Sequence, residues 1–495
     1  MSKRRLDGGT SGDAVLLMFI KLVTMTLGLV VTRLLSQHFS YQGYGTYSQV
    51  LLVVNTVTSV TILGMVDGTN FFNCREKDPG KREAYLSTIF TLQCVVSALG
   101  GMVVMLLSGQ ICARFDNAAL APLLIFAAVL PMLQNLISMV QVLVVSVGKA
   151  RMLALRNLII SVTRLAVVLV VIALVRNVAL ILLMTVVMDL GQLMIFFRML
   201  RSNGCPMSLK AVDFRLFKEI FHYCAPMGVY LVVSTLNRDL DKYLVALLTD
   251  TETLAVYSNA SKTLPFDIVL TSFTTVLVPE ITRQVVAGKK EQVVSLYKSF
   301  LEFTYIATGI LCCAALAAAP QLMELLYSEK YLSGLTVFIL YILVDLLRFT
   351  NITLLLAVAG KTRQLMFLSF GTLVANGVLN VVLFRWIGLP GPALATLVVT
   401  LLSGLIILHL SARVLDSKLR KLFDLKCLAV FLAVSAALTL GLYQLQHWLM
   451  GRGLHYVVVL LITGGAYGLL MAALYGKRLL RAMKTMNKKT KKEAD

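Results

Sequence analysis

Long apolar stretches alternate with short polar segments along the whole chain, and this pattern predicts helices that cross a membrane. Four stretches contain no Asp, Glu, Lys or Arg, namely 84–113, 117–148, 427–451 and 453–476. Each is longer than the roughly 20 residues that a helix needs to cross the hydrocarbon core of a bilayer. Because backbone polar groups find no water in hydrocarbon, such stretches fold there as helices. The pattern therefore predicts an all-α polytopic membrane protein.

Fourteen apolar segments have the length of a spanning helix. Their expected limits are 14–35, 48–72, 86–108, 119–146, 152–175, 178–200, 220–247, 254–279, 296–319, 333–358, 364–384, 390–412, 427–447 and 455–476. Because fourteen is even, both ends of the chain should lie on the same side of the membrane.

Lysine and arginine residues are divided unevenly between the two sides of these spans. With the N-terminus placed in the cytoplasm, the cytoplasmic loops and tails hold 33 of them and the outer loops hold five. Basic residues concentrate in the cytoplasmic loops of membrane proteins. The division therefore predicts that the N- and C-termini are both cytoplasmic, and it would break down if one span in the middle of the chain were missed.

The composition supports this class of protein. Hydrophobic residues make up 58% of the 495 positions and charged residues 14%, whereas soluble proteins carry about 25% charged residues. The net charge of +21 is shared among loops that face anionic lipid, which argues against nucleic-acid binding. The basic start "MSKRRLDGGTSGD" leads into a span too long for a cleavable signal peptide. None of the eight cysteines has the paired spacing of a metal site, and we expect no disulfide framework.

The chain repeats a six-span unit. The loop "VGKAR" at 147–151 recurs as "AGKTR" at 359–363, and Tyr47-Ser48 recurs as Tyr257-Ser258, so the copies are 212 and 210 residues apart. Because six is even, both copies have the same orientation and form a parallel repeat around a central cavity. We therefore expect an N-terminal lobe over 1–200, a cytoplasmic linker over 201–218, a C-terminal lobe over 219–415, an extra helix pair over 416–476 and a basic cytoplasmic tail over 477–495.

Several segments in this order resemble the bacterial polysaccharide flippases, the O-antigen and capsule exporters of the multidrug/oligosaccharidyl-lipid/polysaccharide exporter superfamily. The segments are "TRLLSQHFSYQGYGTYSQ", "LGMVDGTNFF", "LDKYLVALLTDTETLAVYSNASKT", "LVPEITRQ", "LLYSEKY", "AGKTRQL" and "NGVLNVVLFRWIGLPGPALATLV". The resemblance covers most of 14–415. Some members of the family have twelve spans rather than fourteen, and the extra helix pair keeps lipid II flippases as an alternative.

The resemblance implies a transporter of the bacterial cytoplasmic (inner) membrane. Such a protein flips an undecaprenyl-diphosphate-linked oligosaccharide from the inner to the outer leaflet by alternating access, for surface polysaccharide biosynthesis. Its partners would be this lipid-linked oligosaccharide and membrane lipids, and the family adds a polysaccharide polymerase and a chain-length regulator. We expect no bound cofactor, and coupling to Na⁺ or H⁺ stays open.

Ionisable residues inside spans are costly unless they face a cavity or a partner, so each is a candidate for function. A diphosphate carries about two negative charges, and cations along its path would replace its lost hydration. The cations that we take as candidate substrate-binding residues are Lys21, Arg33, Arg164, Arg238, Lys242, Lys262 and Arg348. In the resembling family spans 1, 2, 7 and 8 line the cavity, and five of these seven cations lie in spans 1, 7 and 8.

Structural roles compete with substrate binding for several of these cations. Arg348 lies three residues after Asp345, and we favour an ion pair between them. Arg33 lies near an outer end, where its side chain could equally reach the interface. Arg164 could pair with Asp189 or contact substrate. The neighbours Asp241 and Lys242 match a family pattern, but a pair that stabilises the lobe explains them too.

Acids and prolines inside the spans complete the candidate set. The candidate coupling or gating acids are Asp67, Asp189, Asp241 and Asp345. Pro226 and Pro265 are candidate hinges, because proline breaks the helical hydrogen-bond ladder, although fixed kinks would explain them equally well. We find no metal constellation.

Two other functional classes can be compared with a flippase. A cation-coupled multidrug antiporter would place acids rather than cations in its cavity. A membrane enzyme such as a polymerase or glycosyltransferase usually needs a sizeable loop outside the membrane, whereas the longest loop here has about twenty residues. No catalytic set is apparent, so we do not expect an enzyme.

Overall fold

The computed structural model is all-α throughout the residues that it describes. These are residues 10–76, 78–146, 150–202, 207–262, 288–350, 361–422 and 424–491, with the single positions 264, 266, 281, 284, 285, 353, 355, 356 and 359. Within these ranges no residue lies in a β-strand, and the predicted fold class is confirmed.

Eleven helices in these ranges are long and apolar enough to cross a membrane, and the count is twelve if the bent pair Tyr41–Ile62 with Met65–Asn73 is one span. The helix Phe217–Leu248, where we expect the seventh span, is not among them. It carries four charges between positions 238 and 242. Most of the expected eighth span, 254–279, lies outside the described residues. The count of fourteen therefore stays a prediction.

Residues Met1–Ser258 form the first of two compact units. Its helices are α1 (Thr10–His38), α2 (Tyr41–Ile62), α3 (Met65–Arg75), α4 (Pro79–Leu106), α5 (Ser108–Arg114), α6 (Leu124–Ser146), α7 (Ala150–Leu174), α8 (Val178–Ser202), α9 (Phe217–Leu248) and α10 (Thr251–Ala260), the last extending two residues beyond the unit. The helix α6 packs against α2, α3, α4 and α8, while α1 packs against α7. The buried core of this unit includes Phe72, Ile89, Met139, Val140 and Leu200.

Polar side chains inside the first unit connect α2, α4 and α6. The amide nitrogen of Gln93 donates to the backbone oxygen of Thr61 at 3.0 Å, and that of Asn135 donates to the Thr61 hydroxyl at 2.9 Å. These residues are all buried. Since polar groups between helices have no water partner in a bilayer, such bonds hold neighbouring helices in one register.

The helices α2 and α3 run antiparallel to α9, from Gly45 beside Thr251 at the start of α10 to Arg75 beside Glu219, and we call this contact the α2–α9 seam. At one end, a Cβ on Gly45 would collide with the carbonyl oxygen of Thr251. Further along, the hydroxyl of Tyr243 donates to the backbone oxygen of Leu52 at 2.7 Å. Small residues let membrane helices approach closely, and close packing drives their association.

The chain breaks between α2 and α3 at another close approach along this seam. Leu63 and Gly64 have φ of 43° and 71°, and the two helices are bent by 41°. We expected one straight span over 48–72. A Cβ on Gly228 of α9 would lie 2.7 Å from the backbone carbon of Leu63, so the helix breaks against the backbone of its partner.

Residues Asn259–Asp495 form the second unit. Its helices are α11 (Lys290–Ala317), α12 (Ala319–Tyr327), α13 (Leu335–Leu347), α14 (Thr362–Ile387), α15 (Pro390–Val414), α16 (Leu419–Leu422), α17 (Leu425–Gly451) and α18 (Tyr456–Lys491). The helix α11 packs against α13, α17 and α18, and α14 packs against α15. Tyr305, Phe431 and Tyr475 join α11, α17 and α18 through edge-on ring contacts. The two units divide the chain at a different position from the predicted lobes, whose limits stay a prediction.

Most of the basic C-terminal tail continues the last helix of the chain. The helix α18 continues to Lys491, well beyond the predicted limit of its span at 476. At about 1.5 Å per residue, the additional fifteen residues extend the helix by roughly 22 Å. Strong helix formers such as lysine, leucine and alanine explain why the helix continues.

We expect Gly228→Ala to destabilise the first unit by about 1–3 kcal/mol, because the added methyl group must displace the backbone at Leu63. Gly441→Ala in α17 is the matched control, since a Cβ there meets no atom within 4 Å. The control should leave the free energy of unfolding unchanged or raise it by up to about 1 kcal/mol, because alanine has the higher helix propensity. Thermal unfolding of the purified proteins in detergent measures both changes. Equal midpoints for the two variants would contradict the tight packing.

Candidate functional site

Four charged residues lie within five positions of α9. The Lys242 ammonium nitrogen lies 2.9 Å from the Asp239 Oδ1 atom, one helical turn away. The Arg238 guanidinium lies 3.5 Å from the other oxygen of Asp239. The Asp239 side chain is 5% exposed, that of Lys242 20% and that of Arg238 64%. The buried carboxylate therefore lies between two cations, of which Arg238 alone is largely accessible.

Asp241 is held by a different contact. Asp241 is 1% exposed. The hydroxyl of Tyr257 on α10 donates a hydrogen bond to its Oδ2 atom at 2.7 Å. Lys242 pairs with Asp239, so Asp241 and Lys242 each have a protein partner within this unit, as a stabilising role would require. Adjacent residues of a helix point in different directions, whereas residues three apart lie on the same face.

A second group of charges lies on α7 and α8. Arg164 is exposed and Asp189 is partly buried, and Asp189 interacts electrostatically with both Arg164 and Arg156. The amide nitrogen of Gln192 donates to Asp189 at 3.0 Å. The predicted alternative of a tertiary partnership between Arg164 and Asp189 is thus supported by the structure. Arg156 lies near the start of the expected span 152–175 and was not among the candidates from the sequence.

The remaining candidates of the first unit are more scattered. Lys21 of α1 and Asp67 of α3 are exposed, and Arg33 of α1 is partly buried. Pro226 lies inside α9, which continues as one helix on both sides of it. Its role as a hinge stays a prediction.

The second unit contains the other candidates. The Arg348 guanidinium lies 3.0 Å from Asp345, so the predicted ion pair is confirmed. Asp345 is 2% exposed and also accepts a hydrogen bond from the backbone nitrogen of Leu264 at 3.1 Å. Lys262 is partly buried, and Pro265 lies outside the described residues.

One charged cluster was not expected from the sequence. The Arg75 guanidinium at the end of α3 lies 2.6 Å from Glu219 Oε1 at the start of α9. The hydroxyl of Tyr85 on α4 donates to the other oxygen of Glu219 at 2.5 Å. We call these three residues the Arg75–Tyr85–Glu219 latch. Arg75 and Glu219 are 144 residues apart and lie in segments that we treated as loops, so no local pattern could reveal the pair.

Aromatic rings surround the guanidinium of this latch. The central carbon of Arg75 lies 5.4 Å, 5.1 Å and 5.7 Å from the ring centres of Phe71, Phe72 and Tyr85. Tyr223 of α9 stacks on Phe71 with ring centres 4.1 Å apart. Cations over aromatic faces are attracted by the ring quadrupole, and arginine is the commonest such cation.

The described residues contain no group of three or more His, Cys, Asp or Glu side chains that could hold a metal ion. The accessible guanidinium and ammonium groups of the candidate cations can bind anions. The buried carboxylates are mostly already engaged by protein donors.

We expect the latch to contribute stability at neutral pH that is lost in acid. The hydrogen bonds from Tyr85 and Arg75 hold the pKa of Glu219 below its ordinary value. A carboxylate with a lowered pKa stabilises the folded state fully above its ordinary pKa, about 4.3 for glutamate, and this contribution is lost as the pH falls from there through the lowered value.

Glu219→Gln should therefore lower the thermal midpoint at pH 7, and its difference from the unaltered protein should shrink below about pH 4. Unfolding in detergent at a series of pH values measures this. Glu83→Gln, which removes a carboxylate that makes no ion pair among the described residues, is the control. A difference that does not depend on pH would rule out the ionised pair as its source.

Comparison with known proteins identifies the group to which the chain belongs. The sequence model of a family described as "Polysaccharide biosynthesis protein" matches residues 30–335. No curated protein matches the chain by sequence.

Solved structures share the fold at low sequence identity. A lipid II flippase, MurJ, in an inward closed conformation is 15% identical, with 94% of this chain and 100% of that chain covered at a TM-score of 0.73. An inward-facing multidrug resistance transporter of the MATE family and MOP superfamily is 11% identical, with coverages of 80% and 98% and a TM-score of 0.65.

A MOP superfamily transporter from Pyrococcus furiosus, whose binding pocket is described as having reverse polarity, is 12% identical, with coverages of 82% and 95% and a TM-score of 0.57. The chain thus has the fold of MurJ and the MATE transporters. Because the family model matches more than half of its length, the protein belongs to the polysaccharide biosynthesis protein family.

Proposed function

We propose that this protein flips an undecaprenyl-diphosphate-linked oligosaccharide from the inner to the outer leaflet of the bacterial cytoplasmic membrane, by alternating access. The family and the transporter fold support a flippase for surface polysaccharide biosynthesis. The observation that carries the proposal is the exposed Arg238 guanidinium in the middle of α9. We place both termini in the cytoplasm, as the loop charges predict.

The charges around Arg238 favour an anionic passenger. Asp239 is buried and bonded to Lys242, and Asp241 is buried and bonded to Tyr257. The accessible charge of the cluster is therefore positive, although its formal charges balance. A guanidinium binds phosphate oxygens through two parallel hydrogen bonds, and these are among the stronger bonds in proteins. A diphosphate linked to a lipid is the anion that this family would present.

We propose further cations, from both units, as contacts of the substrate. Lys21 and Arg164 are exposed on α1 and α7, and Lys262 and Arg33 are the further candidates at partly buried positions. We propose that Asp67, Asp189 and Asp241 are the acids that couple or gate the cycle, driven by Na⁺ or H⁺. Arg348 and Asp345 are bound to each other and are better assigned to stability. A polymerase and a chain-length regulator are the proposed protein partners, and no enzymatic step is required.

Two alternative functions share the fold. MurJ is named as a lipid II flippase, and lipid II also carries a diphosphate, so the accessible arginine suits both passengers. A multidrug antiporter with a cationic substrate is less well supported, because the carboxylates of α9 are occupied by protein groups. The Pyrococcus furiosus transporter combines this fold with a pocket of reverse polarity and is suggested to differ in function. The charges of the binding pocket therefore indicate the transported substrate better than the fold does.

We expect Arg238→Gln to reduce export of the surface polysaccharide about tenfold or more at normal protein level, because a charged hydrogen bond to the headgroup contributes about 1.5–3 kcal/mol. Arg385→Gln, at an exposed arginine outside the charged cluster, is the matched control and should retain export. Export is measured by staining of the cell-surface glycan beside an immunoblot of membranes. Full export by the Arg238 variant would remove this residue from the path.

Deletion of the gene should abolish one surface glycan and cause its completed undecaprenyl-linked unit to accumulate. Mass spectrometry of the extracted lipids identifies the unit. Loss of viability with accumulated lipid II would assign the protein to peptidoglycan synthesis instead. Unchanged lipids with increased drug sensitivity would favour the antiporter.

A further inference from the structure

The Arg75–Tyr85–Glu219 latch has the geometry of an anion-binding site that is filled by the protein's own carboxylate. We propose that Arg75 and Tyr85 bind a diphosphate group in place of Glu219, and that this exchange opens the α2–α9 seam at the latch. The inference rests on the proposed function for the source of the anion, and it adds an entry site to the cations inside the spans.

The first argument is the arrangement of donors. The two carboxylate oxygens of Glu219 each meet a separate donor, Arg75 at 2.6 Å and Tyr85 at 2.5 Å. A phosphate group also offers several oxygens to a guanidinium and a hydroxyl at such distances. The donors belong to α3 and α4, whereas the acceptor belongs to α9. Replacing the acceptor therefore leaves the donors in position on their own helices.

The second argument is that Arg75 is held in place without Glu219. Phe71, Phe72 and Tyr85 lie around the guanidinium, and Phe72 stacks on Tyr85 with ring centres 4.6 Å apart. These rings come from α3 and α4. Because the guanidinium is oriented before an anion arrives, less conformational entropy is lost on binding.

The third argument is access. The Arg75 and Glu219 side chains are 43% and 45% exposed, so an anion from outside can reach both. Exposed ion pairs contribute little net free energy because water competes for both charges. A diphosphate carries about two negative charges where Glu219 carries one, and the exchange is therefore favoured electrostatically. The loop charges place this end of the seam in the cytoplasm, where a lipid-linked unit would arrive.

The consequence for the seam follows from what lies beside the latch. A Cβ on Gly68 of α3 would collide with the Cys224 sulfur of α9, and Cys224 is 2% exposed. About one turn and a half of α9 separates Cys224 from Glu219. Once Glu219 is displaced, the ionic contact between this end of α9 and α3 is lost. Separation of the two helices would then expose the thiol of Cys224.

The test measures how fast Cys224 reacts with N-ethylmaleimide in the full-length protein, with the other seven cysteines replaced by serine or alanine. Glu219→Gln should react roughly fivefold faster than this parent, the change expected for an ion pair of about 1 kcal/mol. Inorganic pyrophosphate should accelerate the parent but not the Arg75→Gln variant. Asp416→Asn, which breaks the exposed Lys290–Asp416 pair of the second unit, is the matched control and should react like the parent.

The source of the anion is tested in the same assay. Acceleration by undecaprenyl diphosphate in the detergent micelles, at concentrations where pyrophosphate has little effect, would identify a lipid headgroup site. Equal acceleration by both would identify a site for free diphosphate. If Glu219→Gln fails to fold, Tyr85→Phe removes the hydrogen bonds of the hydroxyl with Glu219 and Arg75 and keeps the ring, and it should also react faster. Unchanged rates in these variants, or acceleration by pyrophosphate in Arg75→Gln, would overturn the proposal.

Failure of this inference can be told apart from failure of the proposed function. Gene deletion could cause a lipid-linked oligosaccharide to accumulate while the latch variants leave the reactivity of Cys224 unchanged. The proposed flippase function would then be supported, and the proposed anion site would be wrong. Pyrophosphate could accelerate the reaction of Cys224 while gene deletion leaves the lipids unchanged. The anion site would then be supported, and the proposed transport substrate would be wrong.

Discussion

The cost of placing a charge in hydrocarbon constrains this protein more than any other interaction. A charged side chain in a spanning helix needs a partner or contact with water, and α9 carries four charges within five positions. Asp239 meets this requirement with Lys242, and Asp241 meets it with Tyr257. Arg238 differs because its side chain is largely exposed. The distribution of partners, more than the number of charges, sets this residue apart as a candidate for binding.

The packing of α2 and α3 along α9 obeys a related constraint. Apolar surfaces gain little by leaving lipid for one another, so membrane helices associate through close packing and hydrogen bonds. Gly45 and Gly228 allow the backbones to approach, while the hydroxyl of Tyr243 bonds to the backbone of α2. The latch adds an ionic contact where the seam reaches water. Such a contact can exchange partners with anions from solution, whereas the glycine contacts cannot.

The fold and the charges carry different information about function. Helix packing like that of MurJ and of the MATE transporters establishes a transporter fold, but proteins with one fold can carry different passengers. The chemistry of the passenger depends on which charges remain accessible after the protein has paired the others. In the first unit, exposed cations lie on α1, α7 and α9 and an exposed acid, Asp67, lies on α3.

The sequence by itself determined the class of the protein, because apolar length, charge-free runs and basic loops follow from the bilayer alone. It also determined the pairing of Asp345 with Arg348, since residues three apart share a helix face. Only the tertiary structure decided that Tyr257 of α10 donates to Asp241, that the second span breaks at Leu63, and that Arg75 meets Glu219 across 144 residues. These contacts depend on how closely one helix approaches another, and no local spacing in a single chain records that distance.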